Sequence, residues 1–307
     1  MPAAVHQPRP SPWLDHNGAG PPPWTERDIV VPGRGETSVL DAHGPEDAPT
    51  LMLLHGLAAT GRLNWFTAIP ALSERFRVVV VDHRGHGRGI RTEHFRLKEC
   101  ADDVVAIADV LGIDSFVAVG YSMGGPIAKL AWSRNRDRVR GLVLCATANH
   151  FFWPEMRSIV SAVFPGMVVT ARLMPGFFRN RIIDGMIRGI RDQERRERVR
   201  REMAGTDPAT VMQAMRSVIR FSSRDWASNI NVPTAVVVTT RDTLVAPWRQ
   251  RRLAASIPAA MVFEVDADHL ACVRAADRFV PVLGEACEYV AKSAGLAGLA
   301  APRPAGQ

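Results

Sequence analysis

Ser122 stands in the run VAVGYSMGGPIAKL, Val117 to Leu130, with Gly120 and Gly124 each two residues away. A serine hydroxyl is a weak nucleophile. It becomes a useful one when a base takes its proton and hydrogen-bond donors receive the oxyanion it creates. Glycine on both sides lets a strand and a helix approach closely while the serine itself takes a positive φ. Its side chain then projects from the turn beside the positive end of the new helix. Pro126 falls in the first turn of that helix, where a missing N–H is tolerated. A purely structural Gly-rich turn reads the same over these few residues, so partners must be sought elsewhere in the chain.

Asp242, in VVVTTRDTLVAP, follows a strongly apolar run. A carboxylate there can orient a histidine and stabilise the imidazolium that forms. Taken alone it is also an ordinary turn aspartate. The competing acid position, just after GLVLCAT, holds Thr147, Ala148 and Asn149, which carry no carboxylate. His269, after MVFEVDA, is the candidate general base among nine histidines. Asp268 precedes it directly and is the weaker orienting acid, because adjacent side chains on extended backbone diverge. For the oxyanion, LLHGLAATG (Leu53 to Gly61) offers the backbone N–H of Leu57, and Met123 offers the N–H that follows the serine. His55 then reads as a residue that holds its loop by hydrogen bonds. The chemistry such a set could perform is acyl transfer.

Elements must bring these distant residues together. ERDIVVPGRGETSVLDAHG reads as a β-hairpin turning at Pro32 to Gly35. TLMLLHG, RVVVVDHRG and SFVAVGYS are near-continuous apolar runs, as in a parallel sheet covered on both faces. LNWFTAIPALSER and KECADDVVAIADVLG between them read as helices, the second with Val104, Ile107, Ala108 and Leu111 at helical spacing. GLVLCAT is a further strand. Alternation stops over residues 149–225 and resumes with TAVVVTTRD, WRQRRLAASI, MVFEVDADH and DRFVPVLGEACEYVAKSAG. The pattern predicts a doubly wound, mostly parallel α/β domain (25–148 and 226–293) with a helical cap at 149–225. Pro- and Gly-rich stretches at 1–24 and 294–307 read as a flexible arm and tail.

Composition narrows the function class. Apolar residues make up 47% of the 307, enough for a large core. The net charge of +7 comes without zinc-finger spacing or an aromatic RNA-binding signature, so nucleic acid is not expected and an Arg-rich solvated surface is. Cys100, Cys145, Cys272 and Cys287 are far apart with no CxxC pair, which argues against a disulfide framework or zinc site. The start of the chain has no apolar secretory region, and no stretch suits a bilayer span, so the expectation is a cytoplasmic protein. The arginines between Arg191 and Arg201 leave peripheral contact with anionic lipid, or with a carboxylated substrate, as the alternative to a solvated helix face.

In His55-Gly56, DHRGHGRG (Asp82 to Gly89), GYSMGG, RDTLVAP around Asp242 and DADH ending at His269, the chain resembles the α/β-hydrolase-fold serine hydrolases over about residues 25–294. The order Ser…Asp…His is the one that resemblance implies. It also implies a capped fold with no metal or organic cofactor. One position departs: where the family pattern DxRGxGxS ends in serine, this chain has Gly89. Serine at the elbow sets the chain apart from the epoxide hydrolases and haloalkane dehalogenases of similar fold, which use aspartate. The expected activity is hydrolysis of a small-molecule carboxylic ester through an acyl-enzyme. A perhydrolase or haloperoxidase-like activity, a thioesterase, an acyltransferase and a carbon–carbon bond hydrolase would use the same triad, and a non-catalytic binding scaffold is the bland reading. Phe151, Phe152, Trp153, Phe164, Met167, Met174, Phe177 and Phe178 could line an apolar pocket for the acyl or alcohol group, or only pack the cap on the core.

Overall fold

The first hairpin forms as its turn residues dictate. β1 (Thr25–Val31) and β2 (Gly35–Ala42) pair antiparallel with Val31 opposite Gly35. Pro32 and Gly33 make the turn, and Gly33 takes a φ of 71°, which costs a residue with a side chain more than it costs glycine. The structure is a computed structural model that describes residues 24–152, 176–177, 181, 184–185, 193–204 and 206–296.

β2 pairs antiparallel with β4 (Arg77–Val81), and from there the sheet is parallel. β3 (Thr50–Leu54), β5 (Phe116–Tyr121), β6 (Val139–Cys145), β7 (Thr234–Thr239) and β8 (Met261–Val265) complete eight strands in the order β1-β2-β4-β3-β5-β6-β7-β8. The described helices are α1 (Gly61–Trp65), α2 (Ile69–Ser73), α3 (Leu97–Val110), α4 (Gly124–Arg134), α5 (Gln193–Ala204), α6 (Pro208–Arg220), α7 (Pro247–Ala255), α8 (Ala271–Arg274) and α9 (Ala276–Ser293).

Apolar runs without alternation make sense because both faces of the sheet are covered. Met52, Leu54, Val79, Val81 and Ala118 face one core, shared with Val104 and Ile107 of α3, Ile127 of α4, Val218 of α6 and Leu253 of α7. Their neighbours Leu51, Leu53, Val78, Val80, Val117 and Val119 face the other, shared with Trp65 of α1, Ile69 of α2 and Phe279 and Leu283 of α9. Each such Val, Leu, Ile, Met or Phe side chain contributes roughly 1.5–3 kcal/mol by leaving water. All four cysteines are free and buried. Among the described residues no helix is long and apolar enough to cross a membrane.

Two elements differ from the plain sequence pattern. LNWFTAIPALSER is not one helix but two single turns, α1 and α2. Pro70 has no N–H to return to the Phe66 carbonyl, and its ring crowds that carbonyl, so the first turn stops before it. α3, by contrast, ends in a full Schellman motif: Gly112 at φ 64°, with its N–H bonded to Asp109 and that of Ile113 to Ala108.

The segment between β6 and β7 contains α5 and α6. Asp207 caps α6 by accepting from the Ala209 N–H. α6 is docked on the sheet domain: Gln213 accepts from the Phe95 N–H and donates to the Glu93 carbonyl, while Ala214 and Val218 join the core. His150 and Ser222 form an isolated antiparallel bridge where the segment leaves and rejoins the sheet domain. Of the aromatic and methionine residues expected to line a cap pocket, Phe151 is half-buried, and Phe152 and Phe177 are exposed. Trp153, Phe164, Met167, Met174 and Phe178 lie outside the described residues, as do the 1–23 arm and the last eleven residues of the tail.

Candidate active site

Strand register decides which loops meet. β3 and β5 are parallel neighbours with Leu54 opposite Gly120, so His55-Gly56-Leu57 and Tyr121-Ser122-Met123 leave the sheet side by side. The chain turns from β3 toward β4 on one side and toward β5 on the other, and a crevice forms at such a reversal. β7 and β8 pair Thr239 with Val265, which sets Asp242 and His269 a few residues past the same edge.

The elbow is as tight as its glycines allow. Ser122 has φ 50°. A Cβ on Gly120 would collide with the Gly124 carbonyl, and one on Gly124 with the Leu54 carbonyl. A Cβ on Gly56 would lie 3.5 Å from the Ser122 Cβ, so the β3 loop rests against the turn that contains Ser122. Ala58 (φ 57°) and Ala146 (φ 48°), just past β3 and β6, are also left-handed, so costly backbone gathers at this edge of the sheet.

Ser122, His269 and Asp242 meet in hydrogen-bond distance. His269 Nδ1 lies 2.7 Å from Asp242 Oδ2, and His269 Nε2 lies 3.0 Å from Ser122 Oγ. The tautomer follows from the acid. Burial alone would raise the Asp242 pKa, but the hydrogen bond and charge of His269, the Val245 N–H and the Thr239 hydroxyl outweigh it and hold it below its ordinary value. An ionised carboxylate only accepts, so Nδ1 carries the proton and Nε2 is left to accept from the Ser122 hydroxyl. Asp268 faces elsewhere: it accepts from the Leu270 N–H and pairs with Arg274.

Further residues, which motif reading did not single out, fix these groups. Gln250 donates to Asp242 Oδ2 at 3.1 Å and to the Val245 carbonyl, and Thr239 donates to the same Oδ2 at 2.8 Å. The N–H groups of Leu244 and Val245 donate to the other oxygen. Tyr121 donates to the His269 carbonyl, Thr147 to the Ser122 carbonyl, and Asn64 accepts from the Gly56 N–H. One signal was present: Gln250 shares a helical stripe with Leu253, Ala254 and Ile257, and a polar residue there must have a buried partner.

The N–H groups of Leu57 and Met123 have no acceptor among the described residues. His55 does hold its loop. Its Nδ1 donates to the Gly56 carbonyl at 2.7 Å, and its Nε2 accepts the His83 N–H at 3.0 Å. Burial drives its pKa down to about 4, so the imidazole is neutral. Asp82 accepts from the Gly61 and Arg88 N–H groups, bracing the loop that contains Gly89. A side chain at Gly89 would collide with the Asp82 and His83 carbonyls, so this loop path excludes the serine of the family pattern.

The family profile described as alpha/beta hydrolase fold matches residues 49–276. The chain belongs to the α/β-hydrolase fold family. Within it, the chain is 37% identical over 135 residues to the magnesium-chelatase 30 kDa subunit of Rhodobacter capsulatus, a match spanning 43% of this chain and 45% of that relative. Among solved structures it is similar to the enol-lactonase from Burkholderia xenovorans LB400, with 26% identity and a TM-score of 0.69, covering 84% of this chain and 98% of that one. It is also similar to a thermophilic esterase from Thermogutta terrifontis, with 25% identity and a TM-score of 0.71, covering 86% and 98%.

Proposed function

We propose that this α/β-hydrolase-fold chain cleaves carboxylic esters through an acyl-enzyme on Ser122. The single observation that carries the reading is the continuous hydrogen-bonded line from Ser122 Oγ through His269 to Asp242. In the first step Ser122 Oγ attacks the ester carbonyl carbon while His269 Nε2 takes its proton. The N–H groups of Leu57 and Met123 receive the oxyanion. His269 then protonates the leaving alcohol. In the second step water gives a proton to His269, attacks the acyl carbon, and the proton returns to Ser122 as the acid departs. Asp242 holds the imidazole in the required tautomer and stabilises its charged form. The serine proton leaves with the alcohol and is replaced by one from water, so the cycle balances without a metal or organic cofactor.

The serine itself argues for acyl chemistry over displacement at an alkyl carbon. A serine alkylated by a haloalkane or an epoxide would be an ether, which offers water no carbonyl to attack. Lactones are cyclic esters and fall within the proposed class, in keeping with the similarity to an enol-lactonase. Half-buried Leu57 and Phe151, packed against the core at this edge, support an apolar acyl or alcohol group. Free cysteines are in keeping with a reducing cytoplasm as the place of work. A panel of p-nitrophenyl esters, matched thioesters and peroxide with acetate, run on one purified batch, tests the proposal. Ester turnover should dominate, and activity confined to peracid formation would overturn it.

A further inference from the structure

A cavity opens at the neck of the inserted segment, away from the triad. It has a volume of about 220 Å³ and is lined by Ala148, Asn149, His150, Arg224, Trp248, Arg249, Arg252 and Ser256. Neither Ser122 nor His269 lines it. His150 comes from the chain leaving the sheet domain and Arg224 from the chain returning to it, two residues past the bridge partner Ser222. Trp248, Arg249, Arg252 and Ser256 come from α7 and its end.

The charge of this cavity is one-sided. Arg224, Arg249 and Arg252 all line it, and among the described residues its lining has no carboxylate. Several arginines elsewhere are paired with carboxylates. Arg27 and Arg77 share Asp41, Arg84 sits on Asp103 and Glu99, and Arg200 sits on Asp184. Arg224 and Arg252 make no ion pair among the described residues. Arg249 is held in place: it donates to the Phe151 carbonyl at 3.0 Å, and its guanidinium lies 4.8 Å from the Trp248 ring centroid. Burial also lowers the Arg249 pKa.

More positive polarity stands behind the wall. Fully buried Lys129 donates to the Ser223 hydroxyl at 2.8 Å, that hydroxyl donates to Asn149 Oδ1 at 2.9 Å, and Asn149 Nδ2 donates to Ser256 Oγ at 2.8 Å. The relay ends at Ser256 on the cavity wall, whose own hydroxyl donates to the Leu253 carbonyl at 2.7 Å.

We propose that this cavity is a binding site for a phosphate group, held by Arg224, Arg249 and Arg252 and bracing the neck of the insertion against α7. Guanidinium forks match phosphate oxygens in pairs, and a phosphate near charge −2 offsets several of them where a single carboxylate offsets one. Water in the liquid takes about 30 Å³ per molecule, so the cavity has room for a phosphate and a small organic remainder.

Calorimetric titration at constant ionic strength tests this, with inorganic phosphate, phenyl phosphate and acetate as probes. Wild type should bind one phosphate saturably, and the double variant Arg224→Gln, Arg252→Gln should bind it at least tenfold more weakly while keeping the wild-type circular dichroism. Tighter binding of phenyl phosphate identifies a phosphorylated small molecule as the ligand; equal binding identifies phosphate itself. No saturable binding, equal binding to the double variant, or acetate bound as tightly as phosphate would overturn the proposal. Ser122→Ala should bind phosphate like wild type, so the outcome is separate from that of the ester reading.

Discussion

At the scale of single residues, two aspartates flank the same histidine region and only Asp242 reaches its ring. Asp242→Asn would offer an amide to Nδ1 and favour the wrong tautomer, so turnover should fall by about 10⁴-fold with the fold retained. Asp268→Asn keeps an acceptor for the Leu270 N–H and should leave turnover within about twofold. Steady-state kinetics on a p-nitrophenyl ester separates the two, and a reversed pattern would reject Asp242 as the orienting acid. The hydrogen-bonded grouping of Ser122, His269 and Asp242 was legible because each residue follows a recognisable strand. Thr239 could not, because its hydroxyl bond to Asp242 depends on a turn geometry that a single threonine does not announce.

At the scale of elements, the elbow depends on a close approach between β3 and α4. Gly124→Ala would drive a Cβ into the Leu54 carbonyl, so strand and helix must separate. Urea unfolding should report a loss of about 1–3 kcal/mol, with turnover falling as Ser122 shifts. α4 also contains Lys129, buried and hydrogen-bonded to the Ala148 carbonyl and Ser223. Burial lowers its pKa from 10.5 to about 7. Between those values the unfolded chain holds a proton that the folded chain lacks, so this group makes stability rise with pH from about 7 to 10.5, by at most about 1.4 kcal/mol per pH unit. Below about 7 both states are charged and the penalty is constant. Lys129→Met should flatten that slope in urea titrations across the range. The split of LNWFTAIPALSER was half legible: Pro70 announces a break, but that each half keeps only one turn depends on packing.

At the scale of the whole molecule, the parallel sheet was the most legible feature, since a long apolar strand needs cover on both faces. The inserted segment was the least, because helical spacing says nothing of what a helix docks on. α6 proves to be fastened to the β4–α3 loop through Gln213. Asp41 contributes to acid stability. Burial would raise the Asp41 pKa, but Arg77, with lesser help from His43 and Arg27, lowers it below the ordinary 3.8. A depressed carboxylate contributes stability above its unfolded value and loses it as pH falls through the folded one. The contribution of Asp41 should therefore be intact above about pH 4 and lost below it. Asp41→Asn should cost about 3 kcal/mol at neutral pH, and the deficit should shrink toward pH 2 in thermal or urea unfolding.

The most direct test of the account is intact-mass spectrometry after treatment with a fluorophosphonate, which phosphonylates an activated serine. Wild type should gain a single adduct that maps to Ser122, and Ser122→Ala should gain none. Wild type without an adduct, or equal labelling of Ser122→Ala, would contradict the assignment of Ser122 as the nucleophile.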